Sequence, residues 1–169
     1  YRTINELFEA CTKNHAGRVA MRITRNGREE RYTYADLRES VLRAAAFLVG
    51  QGYGAGDHIG LIGENSPEWG MTYLAIQRIG ATAIPLERDL RLQEIRRLLR
   101  LGDARALLIS DALRVRHAEL AEGERAETLG VHSFEQVFQI SDSAEEARHI
   151  RSLPTRTNPG TLASILFTS

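Results

Sequence analysis

Apolar and polar residues change rhythm several times along the chain, and each rhythm predicts an element. Ile4, Leu7, Phe8 and Cys11 recur at helical spacing between residues 4 and 14, which predicts a short amphipathic helix with that face inward. Val19, Met21 and Ile23 then alternate with other residues, Asn26-Gly27 follows, and Arg31-Tyr32-Thr33-Tyr34 resumes an extended pattern. Asn-Gly between two extended runs predicts a tight β-hairpin. Thr33 and Asp36 have capping-box spacing, and Leu37, Val41, Ala44, Ala45 and Leu48 share one face behind them. A helix ending near Gly50 to Gly52 is the consequence.

From Asp57 the rhythm shortens. Ile59-Gly60-Leu61-Ile62-Gly63 is a nearly continuous apolar run of the kind buried in a parallel sheet. Ser66, Pro67 and Glu68 supply an N-cap, a proline at the first helical position and an acid suited to the helix dipole. Trp69, Tyr73, Ile76 and Ile79 are the expected inner face of that helix, and Gly80 ends it. Strands over 81–86 and 106–109, helices over 91–101, 111–121, 133–139 and 143–151, and an extended stretch near 129–131 complete the pattern. The turn-rich stretch 154–160 leads into a last apolar run, Leu162 to Phe167, read as a buried strand. Strands alternating with helices predict an α/β layered domain with a mainly parallel sheet flanked by helices, plus the small hairpin near the N-terminus.

Composition narrows the function classes. Hydrophobic residues form 43% of the 169-residue chain and charged residues 26%, which suits a packed core rather than disorder. Lys+Arg and Asp+Glu are equal at 22 each, so net charge gives no bias toward nucleic acid. Nearly all the basic residues are arginines, since Lys13 is the only lysine. Cys11 is the only cysteine, which leaves no internal disulfide and no thiolate cluster for zinc. No apolar stretch approaches the roughly 20 residues of a membrane span, and no signal-peptide pattern is present. A cytoplasmic protein in a reducing compartment is expected, with peripheral membrane association left open.

Few residues suggest chemistry. Gly60 and Gly63 follow a strand start, but Gly-x-x-Gly-Glu is not the dinucleotide fingerprint, so close helix–strand packing is the favoured reading. His15, His58, His117, His132 and His149 show no metal-ligand interval. Arg91, Arg96, Arg97 and Arg100 interleave with Leu92, Ile95, Leu98 and Leu99, which reads first as a solvated face over a leucine stripe and second as a basic helix for an anionic surface. Trp69 and Tyr73, one turn apart, read as core. Thr168-Ser169 differs, because it places two small hydroxyl residues after an apolar strand. Open α/β sheets bind ligands at the carboxyl ends of strands, and hydroxyls with free amides suit phosphate oxygens.

Several motifs in order resemble the AMP-forming acyl-CoA synthetases of the adenylate-forming superfamily, most closely the long-chain fatty acid ligases. Thr33-Tyr34-Ala35-Asp36-Leu37 resembles their "TYxEL" element. Gly56 to Leu61 followed by Glu64 to Trp69 resembles "GDrVal…eNspeW", and Ile79 to Leu86 resembles "xGAxxvPL". Leu162 to Ser169 resembles the approach to "YTSGTTGxPKG", of which Thr168 and Ser169 match the opening Thr-Ser. Two positions depart from the pattern. Arg91 stands where the family commonly has a threonine, leaving Asp89 as the expected N-cap, and Gly160-Thr161 replace acidic residues often found before the last strand.

The resemblance implies a carboxylic acid substrate activated with ATP and Mg2+ to an acyl-adenylate, then transferred to coenzyme A. It implies that residues 1–169 are the N-terminal portion of the large AMP-binding domain, with the rest of that domain and a small C-terminal domain outside it. Thr168 and Ser169 are the expected phosphate-loop residues. No catalytic or metal-binding residue is assigned, because the family's adenylation lysine and magnesium glutamate lie in later regions and Lys13 matches neither. A homodimer is left open. The alternatives are a fatty acyl-AMP ligase, a carrier-protein-loading adenylation enzyme, and a non-catalytic interaction module of the same fold.

Overall fold

The computed structural model describes residues 1–121, 129–139 and 159–167. The expected helix over 143–151, most of the connection over 154–160, His149, Thr168 and Ser169 lie outside the described residues.

Helix α1 (Ile4–Asn14) precedes the hairpin β1 (Val19–Arg25) and β2 (Arg28–Thr33). Asn26 and Gly27 make the turn with φ of 50° and 74°. Positive φ at both central residues matches the right-handed twist of the flanking strands, which is why Asn-Gly suits the position. Helix α2 (Tyr34–Gly50) starts from the predicted capping box: the Asp36 amide donates to Thr33 Oγ1 at 3.2 Å and the Thr33 amide to Asp36 Oδ2 at 2.8 Å. The Thr33 hydroxyl and then the Thr33 amide, both donating to Asp36 Oδ2, hold the Asp36 carboxyl below its ordinary pKa.

The remaining elements build an α/β unit. They are β3 (His58–Ile62), α3 (Pro67–Arg78), β4 (Thr82–Leu86), α4 (Leu92–Leu101), β5 (Ala106–Ile109), α5 (Asp111–Arg116), a 3-10 turn (Ala118–Ala121), β6 (Gly130–Ser133) and α6 (Phe134–Phe138). The four strands β3 to β6 pair in parallel in the order β4-β3-β5-β6.

Alternate residues of the strands serve two cores. Ile59, Leu61, Ala83, Ala106 and Leu108 meet α2 and α3 on one face. Ile62, Ile84, Leu86, Leu107 and Ile109 meet Ile95 and Leu99 of α4 and Leu113 of α5 on the other. Both faces are dry, which explains why β3 and β5 read as continuous rather than alternating apolar runs.

Several expectations change in detail. The inward face of α1 is Asn5, Phe8 and Thr12, while Leu7 is 45% exposed. A partner on another element fixes this rotation: Asn5 Nδ2 donates to Gln77 O of α3 at 2.8 Å, while the buried Thr12 hydroxyl is satisfied within α1 by Phe8 O at 2.9 Å. Glu9 further ties α1 to Arg38 of α2 and Arg78 of α3.

The N-cap of α4 is Arg91 rather than Asp89, because the Glu94 carboxylate reaches back to the Arg91 amide at 2.8 Å. Residues 111–121 form the short α5 and a 3-10 turn instead of one helix, with His117 as the break. Trp69 and Tyr73 are half-buried and stack on each other at 5.8 Å with 3° between their planes, so the inner face of α3 is Met71, Thr72, Ala75 and Ile76. Leu162–Phe167 is not a buried strand. It makes one parallel bridge, Ala83 to Ser164, and Leu166 is 71% exposed, because the segment lies at the sheet edge where no described residue covers its outer side.

Gly60 has a packing reason. A Cβ there would lie 2.5 Å from Leu99 Cδ2, 3.0 Å from Leu107 Cδ1 and 3.4 Å from Ala106 O. Alanine would overpack the α4 core, offset in part by lower unfolded-chain entropy. We expect Gly60→Ala to destabilise by about 1–2 kcal/mol, read from urea midpoints at unchanged slope.

Candidate functional site

The carboxyl edge of the sheet carries the two features that could hold a ligand. One is the edge segment 162–165, laid beside β4 in parallel. The Ala83 amide donates to Ala163 O at 3.0 Å and the Ile165 amide to Ala83 O at 2.9 Å. Three side chains add to this ladder: Gln77 Nε2 donates to Ala163 O at 2.8 Å, Thr82 Oγ1 to Leu162 O at 3.1 Å, and Tyr73 Oη shares a hydrogen bond with Ser164 Oγ at 2.9 Å. The expected phosphate-loop residues, Thr168 and Ser169, follow this segment outside the described residues.

The other feature is a groove of about 620 Å3 between the carboxyl ends of β3 and β5, walled by the hairpin and α6. Crossovers from β3 and β5 lead to opposite faces of the sheet, to α3 and α5, so the groove sits where such sheets open a crevice. Its chemistry is acidic. Glu64, Glu68, Asp111 and Glu135 line it against Arg25, a charge balance that repels phosphate.

Glu68 sits in the first turn of α3 and pairs with Arg25 of the hairpin. Burial pushes its carboxyl pKa up, but the hydrogen bond from Arg25, with backbone and Ser66 bonds, brings it below the ordinary value. Asp111 Oδ2 accepts from the Glu135 amide at 3.2 Å, joining α5 to α6. Ser110 is 6% exposed, and its buried hydroxyl has no hydrogen-bond partner among the described residues.

Other sequence candidates resolve as structure. A Cβ at Gly63 would meet Phe134 Cε2 at 2.9 Å, so both glycines of the Gly-x-x-Gly run are packing residues. His58 Nδ1 bonds Gly102 O at 2.7 Å, and His132 Nε2 bonds Tyr53 Oη at 3.0 Å. Burial, with a contribution from Arg114, lowers the His132 pKa. No group of three or more His, Cys, Asp or Glu among the described residues could hold a metal ion, so magnesium is assigned to none of them. On α4, Arg91, Arg97 and Arg100 face solvent over buried Ile95 and Leu99.

Sequence reasoning missed Tyr73, Gln77 and Thr82. A signal was present in Gln77, an amide in an otherwise apolar inner stretch of α3, and in Thr82 opening an apolar strand.

A doubly covered parallel sheet with an added edge segment and a leading hairpin defines the fold class as a layered α/β domain. Residues 7–169 match the family described as AMP-binding enzyme, and the chain belongs to that family. YngI of Bacillus subtilis (strain 168), which carries the name of an acyl-CoA synthetase, is 32% identical over 112 residues, covering 66% of this chain and 20% of its own length. Tyrocidine synthase 2 of Brevibacillus parabrevis is 28% identical over 167 residues, 99% of this chain and 4% of its own length. The chain therefore spans a small part of each of these relatives. The fatty acyl-adenylate ligase from L. pneumophila, solved in complex with acyl adenylate and pyrophosphate, shares the fold with a TM-score of 0.77 at 15% identity, over 97% of this chain and 27% of that one.

The Arg25–Glu68 pair generates a pH prediction. Because the folded pKa of Glu68 is lowered, its stabilisation is present above the unfolded carboxylate value and is lost as the pH falls through the folded one. Glu68→Gln should cost roughly 0.5–1 kcal/mol at pH 7, and the gap to wild type should close by about pH 3, measured by urea denaturation.

Proposed function

We propose that residues 1–169 are the N-terminal portion of the large domain of an ATP-dependent acyl-CoA ligase whose substrate is a long-chain fatty acid. The observation that carries this reading is the edge segment 162–165. It runs parallel to β4 at the sheet edge, and Thr168 and Ser169 follow it in sequence, in a chain of the AMP-binding enzyme family.

A carboxylate is a poor electrophile. Its oxygen attacks the α-phosphorus of ATP, pyrophosphate leaves, and the mixed anhydride then gives its acyl group to the thiol of coenzyme A while AMP departs. Charge on the pyrophosphate develops during the first step, and loop amides and hydroxyls, here those of Thr168 and Ser169, are suited to stabilise it. Magnesium adds charge neutralisation when bound. The adenylation lysine and the magnesium glutamate are expected from regions of the longer protein outside residues 1–169, and so is most of the acyl pocket. No helix among the described residues is long and apolar enough to cross a membrane.

A second reading is supported by the match to tyrocidine synthase 2 over 99% of the chain. In it the activated acyl group passes to a carrier protein rather than to coenzyme A.

Carboxylate-dependent ATP–pyrophosphate exchange tests the activation step. The longer protein should exchange with long-chain fatty acids, and residues 1–169 alone should not. Thioester formation with coenzyme A, and none with a carrier protein, is the expected outcome of the acceptor assay. Exchange by residues 1–169 alone would overturn the site assignment, and exchange only with amino acids would favour the second reading.

A further inference from the structure

The edge segment is held in an unusual way. Its described backbone ladder to β4 consists of the Ala83 amide to Ala163 O and the Ile165 amide to Ala83 O. Side chains of α3 and β4 add three more hydrogen bonds. Ala163 O accepts both the Ala83 amide and Gln77 Nε2, so both of its lone pairs are used. Gln77 is 4% exposed and Thr82 3%. A buried amide so placed is costly to leave unpaired, which makes its bond to the segment close to obligatory.

The holders are themselves fixed. Tyr73 stacks on Trp69, which sets the direction of its hydroxyl toward Ser164. The main-chain carbonyl of Gln77 accepts from buried Asn5 of α1 at 2.8 Å. A line of contacts therefore runs from α1 through α3 to the segment, independent of the sheet ladder. Thr168 follows Ile165 closely in sequence, so a shift in the anchoring of the segment is inherited by the chain that continues from it.

We infer that Tyr73, Gln77 and Thr82 are positioning residues for the phosphate loop, acting on ATP through the edge segment without touching it. The inference rests on the adenylation reading above. Ordinary edge pairing, the competing account, would make these side chains contributors to stability alone and would not discriminate between the two substrates.

The test uses the longer protein carrying Gln77→Leu, Tyr73→Phe and Ser164→Ala, with KM for ATP and KM for the acid measured separately in the exchange assay. Because a small misplacement of a binding group can cost up to about a hundredfold, Gln77→Leu should raise KM for ATP about tenfold or more. KM for the acid should stay within about twofold. Tyr73→Phe is near-isosteric and should act in the same direction without unfolding the protein. Combined with Ser164→Ala it should be no worse than either change alone, since both remove one hydrogen bond. Equal rises in both KM values, unchanged KM for ATP, or additive effects of Tyr73→Phe and Ser164→Ala would overturn the inference.

Hydrogen exchange at the Ile165 amide, read on the same proteins, needs no turnover. Faster exchange in Gln77→Leu with unchanged protection of β3 is expected, and unchanged protection of Ile165 would overturn the positioning role whatever the activity. A wild type that exchanges with no acid would instead sink the adenylation reading.

Discussion

A parallel sheet joined by helical crossovers has to be covered on both faces, and in this chain that requirement organises nearly everything else. Alternate residues of β3 and β5 feed two separate cores, one under α2 and α3 and one under α4 and α5. Gly60 exists as glycine because Leu99 and Leu107 occupy the space beside it. The same constraint sends α3 and α4 to opposite sides and so opens the crevice between the carboxyl ends of β3 and β5.

The crevice and the edge segment share one end of the sheet but differ in charge. Glu64, Glu68, Asp111 and Glu135 make the crevice hostile to polyphosphate, with Arg25 already committed to Glu68. The segment beside β4 leads to Thr168 and Ser169 without such carboxylates in its own hydrogen-bond set, which consists of amides, hydroxyls and carbonyls. This difference in charge supports the proposed nucleotide site beyond the segment over one in the crevice.

Much of the fold was legible from local chemistry. Asn26-Gly27, the Thr33–Asp36 box and Ser66-Pro67 act within a few residues of themselves, and each forms where it was expected. What misled was orientation. Leu7 and Cys11 fit an inward stripe on α1, yet Asn5 and Thr12 took that face, since Asn5 has a partner on α3 that no periodicity reveals and Thr12 satisfies its hydroxyl within the helix. Leu162–Phe167 looked buried because it is apolar, but it lies at a sheet edge and only one bridge binds it to β4. Of the site, Thr168 and Ser169 lie outside the described residues, while the segment before them is placed at the edge of β4. The side chains gripping that segment were not readable, because Gln77 and Ala163 are distant in sequence.

The sequence by itself determined most of the described elements, the Asn26-Gly27 turn, the Thr33 and Ser66 caps, and the membership in the AMP-binding enzyme family, because these depend on spacing and on motifs in order. Tertiary structure alone decided which face of α1 is inward, how β3 to β6 are ordered, and that Tyr73, Gln77 and Thr82 converge on residues 162–164. The physical reason is that such contacts join residues far apart in the chain, and only the crossovers needed to bury both faces of the sheet bring them together.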